Sequence, residues 1–154
     1  SGVDTSLESV KRAEEQPGKP RVLHFDGKKL PFDNETFDIV FAACVLHHVP
    51  VEMRAETYLE IVRVLKPGGV FFVFEHNPFN PLTQYLVKTC EFDDDAILLT
   101  RKELVSSLEE KGLKLLESKF VLFLPEKIKS LIPGGENFLR SVPLGAQYWL
   151  AVQK

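Results

Sequence analysis

The sequence predicts an α/β fold in which a mostly parallel sheet ends in an antiparallel C-terminal edge pair. Three observations point to it. Short apolar runs alternate with stretches of helical periodicity, the pattern of strand–helix–strand units. Two of these runs, Phe37–Cys44 and Val70–Phe74, are almost continuously apolar, as strands covered on both faces are. The last two strand candidates are joined by a short segment, which suits an antiparallel pair. With 154 residues the chain can form one hydrophobic core and is too short for two ordinary domains.

Gly2-Val3-Asp4 reads as the end of a strand. Leu7–Glu15 follows as a helix with a weak apolar stripe at Leu7, Val10 and Ala13. Ser6 is its N-cap, Glu8 complements its dipole, and Pro17, Gly18 and Pro20 stop it. Arg21–Phe25 is a short strand closed by the turn residues Asp26-Gly27. After the run Phe37–Cys44, Pro50 precedes a helix over roughly residues 52–65, with Tyr58, Leu59, Ile61, Val62 and Leu65 on its buried side. Lys66-Pro67-Gly68-Gly69 ends that helix and turns into the strand Val70–Phe74, continued by Glu75.

The prolines of Asn77-Pro78-Phe79-Asn80-Pro81 exclude a strand or helix interior. Residues 82–90 predict a helix and residues 91–95 an acidic turn. Thr100 and Glu103 form a capping box for a helix over residues 101–111, which Gly112 stops. A strand over residues 113–124 ends at Pro125, and a short helix over 126–132 is closed by Pro133 and Gly134. A final strand runs from residue 145 or 146 to 152.

Net charge is -3 and the basic residues are scattered, which argues against a nucleic-acid surface. No apolar run approaches the length of a membrane span, and no signal peptide is visible. Cys44 and Cys90 form no CxxC pair and read as reduced thiols, so a cytoplasmic location is expected. No GxGxxG or GxxxxGK[ST] loop occurs. His47 and His48 are adjacent and leave three roles open: cofactor contact, helix-start structure and acid–base work. Adjacent histidines alone are a poor metal signal, and the acidic residues Glu91 and Asp93–Asp95 suit a solvated face, so no metal is expected.

Four stretches, in order and at their spacing, resemble the small-molecule type of class I S-adenosylmethionine-dependent methyltransferases. They are Gly2-Val3-Asp4-Thr5-Ser6; Asp26-Gly27 with Leu30-Pro31-Phe32; Phe37-Asp38-Ile39-Val40 with Leu46-His47-His48; and Leu65-Lys66-Pro67-Gly68-Gly69. The likeness continues less sharply through Glu75-His76 and Leu144–Tyr148. It implies a Rossmann-like methyltransferase sheet, N-terminally truncated: residues 1–154 would be a single partial domain. The central strand, its glycine-rich loop and the first helix would precede Gly2.

The resemblance also implies site residues. Asp4 would bind the ribose hydroxyls of S-adenosylmethionine, Asp26 its adenine amino group, and the Gly27 N–H a ring nitrogen. Leu30-Pro31-Phe32 would form the adjacent wall. Ala42 and Ala43 would let the methionine part approach the backbone, and His47 would line and shape the pocket. Asp38 is given a structural role. Glu75 and His76 could face the acceptor, with Asn77, Phe79, Asn80 and Tyr85 as its wall. No catalytic side chain is assigned, because a sulfonium methyl donor chiefly needs alignment and exclusion of water. The implied activity is methyl transfer to a small-molecule acceptor. The rival reading is a non-catalytic structural or interaction domain derived from the same fold. A second copy of the chain could cover the sheet edge left open by the missing strand.

Overall fold

The computed structural model describes residues 1–16, 18, 21–121 and 144–154. Its elements are β1 (Gly2–Asp4), α1 (Leu7–Glu14), β2 (Val22–His24), β3 (Phe37–Ala43), α2 (Val51–Val64), β4 (Leu65–His76), α3 (Pro81–Thr89), α4 (Arg101–Glu109), β5 (Lys114–Val121) and β6 (Gln147–Gln153). Single turns of 3₁₀ helix lie at Leu46–His48 and Glu91–Asp93. Pro17, Pro20, Pro125, the end of the strand expected over 113–124, and the short helix expected over 126–132 with Pro133 and Gly134 lie outside the described residues.

Local chemistry sets the helix starts. Ser6 accepts the Ser9 N–H at the head of α1. Asn80 does the same for Thr83 at the head of α3, where Pro81 occupies the first turn. Thr100 and Glu103 form the complete capping box of α4. Gly112 follows α4 with φ +88°, a conformation that suits glycine.

The strands form two sheets. β1 and β2 pair in parallel, with Asp4 opposite His24. The other four lie in the order β3-β4-β6-β5. β3 and β4 are parallel, whereas β6 runs antiparallel to both β4 and β5. The antiparallel C-terminal pair is therefore present, but β6 is an inner strand and β5 the edge.

Lys66-Pro67-Gly68-Gly69 lies inside the span of β4 as an irregularity in its ladder. The register jumps from Phe37 opposite Leu65 to Ile39 opposite Val70. Gly68 takes φ +79°. A Cβ on Gly69 would lie 2.9 Å from the Lys66 carbonyl oxygen and 3.1 Å from that of Phe37, so the site admits only glycine without a shift. The last residue secures this turn: Gly68 N–H donates to the Lys154 carbonyl and Lys154 N–H to that of Gly69. The Lys154 ammonium donates to Val62 and Leu65 carbonyls at the end of α2, where a cation complements the helix dipole.

The core gathers Tyr58, Ile61 and Leu65 with Phe71 and Val73 of β4, Leu104 and Leu108 of α4, and Tyr148, Leu150 and Val152 of β6. Leu59, expected on the buried side of α2, is 52% exposed because it projects from the face opposite Ile61. β3 also departs from expectation. It has one ladder neighbour among the described residues, and Ile39 and Phe41 are each 62% exposed. A near-continuous apolar run marks a strand fit to be covered on both faces; here one face is uncovered.

Candidate functional site

Asp4 and Ala43 end β1 and β3, and Asp26-Gly27 and His47 follow the carboxyl ends of β2 and β3. Asp4 ends β1, and its Oδ1 accepts the Ser6 N–H at 2.7 Å, leaving Oδ2 for another donor. The Phe25 N–H donates to the Asp4 carbonyl, and His24 Nε2 donates to that of Thr5, so the chain after β2 is held against the chain after β1. Asp26 follows directly. Its Oδ1 accepts the N–H groups of Lys28 at 3.0 Å and Lys29 at 3.3 Å. Those bonds hold its carboxyl below the usual carboxylate range. Gly27 adopts φ +79°, and a Cβ there would meet the Thr5 methyl at 3.6 Å. Asp4, Thr5, Asp26 and Gly27 thus come together, although 21 residues separate Thr5 from Asp26.

A cleft of about 620 Å³ opens beside Asp26 and is walled by Phe25, Leu30, Pro31 and Phe32. Its wall is bolted to α2 by a side chain that sequence inspection passed over. Arg63 donates to the carbonyls of Leu30 at 3.0 Å and Phe32 at 2.7 Å, to Asn34 Oδ1, and through two nitrogens to Glu60. Glu60 Oε2 also accepts the Leu30 N–H at 2.8 Å. On the helix surface Arg63 reads as one more polar residue; only its reach to the loop reveals its use.

Ala43 ends β3 and is exposed. Cys44 follows with φ +53°, and burial pushes its thiol up to about 11, so it is a protonated structural thiol at neutral pH. Asp38 pairs with Lys66 at 2.8 Å on the surface.

Glu75 does not face an acceptor. It is fully buried, and its Oε1 accepts the N–H groups of Val45 at 3.2 Å and Leu46 at 2.8 Å. Its Oε2 lies 2.5 Å from His47 Nδ1. One carboxylate on β4 therefore fixes the turn after β3. The His47 side chain is enclosed, with the residue 1% exposed, so it shapes the turn from within. Its ring packs 5.0 Å from that of His76, whose own pKa is lowered chiefly by burial and then by His47.

The acidic segment after α3 is brought to the same turn. Ile97 N–H donates to the His47 carbonyl, and Arg54 bridges the Val49 and Ile97 carbonyls. His48 Nδ1 lies 2.8 Å from Asp95 Oδ1, and His48 Nε2 lies 3.5 Å from Asp93 Oδ1. Sequence alone left Asp93 and Asp95 on a solvated face; they are 45 or more positions from the histidines, and no local pattern joins them.

The expected acceptor wall divides. Asn77 is buried and donates to the Gly145 carbonyl, and Asn80 caps α3 and reaches the Leu144 carbonyl. Both hold the chain together. Phe79 and Tyr85 are 62% and 64% exposed. Among the described residues no helix is long and apolar enough to cross a membrane.

Residues 1–73, just under half of the chain, match the family model described as a methyltransferase domain. The chain is 35% identical over 75 residues to a sterol 4-C-methyltransferase of Caenorhabditis elegans, covering 49% of this chain and 19% of that protein. It is 34% identical over 99 residues to a sterol 24-C-methyltransferase of Schizosaccharomyces pombe, covering 60% of this chain and 26% of that protein. The chain thus spans under a third of the length of these two relatives. Its fold superimposes on the crystal structure of an S-adenosylmethionine-dependent methyltransferase of Thermotoga maritima with a TM-score of 0.74 at 22% identity, covering 99% of this chain and 72% of the other.

Proposed function

The chain has the class I S-adenosylmethionine-dependent methyltransferase fold, and from that premise we propose that the protein transfers a methyl group from S-adenosylmethionine to a small-molecule acceptor. The observation that carries the proposal is the meeting of Asp4, Asp26 and Gly27 at the carboxyl ends of β1 and β2, where Asp26 also lines an open cleft. Their donor and acceptor balance fits the cofactor. Asp4 and Asp26 each use Oδ1 for a local turn, which leaves Oδ2 of Asp4 for ribose hydroxyls and Oδ2 of Asp26 for the adenine amine. Gly27, held at positive φ without a side chain, exposes its backbone to a ring nitrogen.

When bound, the cofactor supplies a sulfonium-activated methyl group. The chain's part is to bind, orient and exclude water. Leu30, Pro31 and Phe32 supply an apolar wall held by Arg63. Ala43 presents little bulk at the end of β3, and the turn that Glu75 and His47 hold shapes the region after it. We read residues 1–154 as part of one methyltransferase domain, whose glycine-rich loop has no counterpart in this sequence. Among the described residues β3 has an uncovered face and an unpaired edge, which favour a second copy of the chain as partner, and the net charge of -3 favours a small acceptor over a nucleic acid. The cysteine content favours the cytoplasm.

Calorimetric titration with S-adenosylhomocysteine tests the reading. Binding is expected in the chain extended at its N-terminus through a glycine-rich loop, and Asp4→Ala and Asp26→Ala are each expected to weaken it at least about tenfold, as loss of hydrogen bonds to a charged group does. Absence of binding in both the extended and the present chain would overturn it, leaving a non-catalytic domain of the same fold.

A further inference from the structure

We propose that His47, His48 and Asp93 bind one divalent transition-metal ion of the Zn²⁺ class, through Nε2 of each histidine and the carboxylate of Asp93. One potential ligand atom from each residue lies within 4.8 Å of the other two.

The proton positions argue for it. His47 Nδ1 faces Glu75 Oε2 at 2.5 Å, and His48 Nδ1 faces Asp95 Oδ1 at 2.8 Å. A carboxylate oxygen accepts, so in a neutral ring the proton sits on Nδ1 and Nε2 presents its lone pair. Both Nε2 atoms lie near one atom, Asp93 Oδ1, at 3.8 Å from His47 and 3.5 Å from His48. With both rings neutral, three acceptors thus converge with no donor between them among the described residues. His47 Nε2 is enclosed as well, and it has no hydrogen-bond partner among the described residues. A buried polar atom left so is costly, and a cation among the three acceptors removes the cost.

The donor set names the cation class. Two imidazoles and one carboxylate suit Zn²⁺ and its borderline neighbours, whereas Ca²⁺ and Mg²⁺ require oxygen ligands. Bonds of about 2.0–2.2 Å in tetrahedral geometry place ligand atoms roughly 3.3–3.6 Å apart. The two separations to Asp93 are already near that range, and the widest spacing of the three, within 4.8 Å, must close by about 1 Å on binding. Three protein ligands leave a fourth position open. Both histidines already have the outer carboxylate that metal-bound imidazoles usually have, Glu75 behind His47 and Asp95 behind His48. Glu75 is therefore a positioning residue: it fixes which nitrogen of His47 is bare.

A proton is the competing cation, since an imidazolium at His48 would also satisfy Asp93. Titration of the metal-free full chain with Co²⁺, followed by its visible absorption and by displacement with Zn²⁺, separates the two. One ion per chain at micromolar affinity is expected. His48→Ala and Asp93→Ala, both partly exposed positions, are expected to weaken uptake at least about tenfold with an unchanged circular dichroism spectrum, and His24→Ala to leave it unchanged. Glu75→Gln puts an amide donor against Nδ1, moves the ring proton to Nε2 and is expected to weaken uptake by the same order. Absence of saturable uptake, uptake undiminished in both His48→Ala and Asp93→Ala, or a nuclear magnetic resonance spectrum with His47 protonated at Nε2 would overturn the proposal. None of these results depends on whether the protein binds S-adenosylmethionine.

Discussion

Replacing Glu75 by alanine removes the acceptor that serves three donors, two of them buried. The Leu46 N–H at 2.8 Å and the His47 Nδ1–H at 2.5 Å both lie in buried residues, and the Val45 N–H at 3.2 Å belongs to a residue that is 49% exposed. Val45 can turn to water, so two donors are left stranded. At about 1–3 kcal/mol for each buried donor left unmade, the expected loss is about 2–6 kcal/mol, with a central value near ~4 kcal/mol. For a chain of this size that lowers the melting temperature by roughly 10 °C.

Glu75→Gln isolates the cause. Its amide oxygen keeps both backbone bonds, and its NH₂ can donate to His47 Nδ1 once the ring takes the other tautomer. The expected cost is about 1–2 kcal/mol. Thermal unfolding followed by circular dichroism reads both, with urea unfolding as the equilibrium check. A Glu75→Ala variant within about 1 kcal/mol of the parent, or a Glu75→Gln variant as damaged as Glu75→Ala, would refute the account of Glu75 as the anchor of this turn.

Three further outcomes are expected. Arg63→Ala frees the Leu30 and Phe32 carbonyls and removes the cation paired with Glu60, so a melting-point loss equivalent to about 2–3 kcal/mol should accompany faster hydrogen exchange in residues 30–34, while Arg63→Lys recovers less than half because it lacks the planar fork. The Glu60 carboxyl is held below its ordinary value of 4.5, first by Arg63. Its contribution is therefore complete above that value and lost as pH falls through the lowered one; Glu60→Gln should flatten that acidic limb of the stability profile and leave the neutral limb unchanged in slope. Gly145→Ala places a Cβ 2.5 Å from the Val121 carbonyl oxygen and 2.8 Å from its nitrogen, so the β5–β6 ladder must shift. A loss of about 2–3 kcal/mol in urea unfolding is expected, and a neutral result would refute the close packing of Gly145 on β5.

The sequence by itself determined the local elements and the fold class. Ser6, Asn80-Pro81 and the Thr100/Glu103 box act within a few residues, so the starts of α1, α3 and α4 follow from chemistry written in order along the chain. Asp26-Gly27 is legible for the same reason, a turn whose carboxylate closes on the next two N–H groups. The spacing of four short stretches carried the family resemblance, and the fold agrees with it.

Tertiary structure alone decided what depends on residues distant in the chain. Periodicity says that Phe37–Ala43 is an apolar strand but not which neighbours it has, so Ile39 and Phe41 could be found exposed only in the assembled sheet. Glu75 looks like a charge free to face an acceptor until β3 and β4 pair and bring Val45, Leu46 and His47 onto it from 28–30 positions away. Asp93 and Asp95 look solvated until the segment after α3 returns to the histidine turn. A carboxylate's role is set by the donors around it, and those donors are supplied by packing rather than by sequence neighbours.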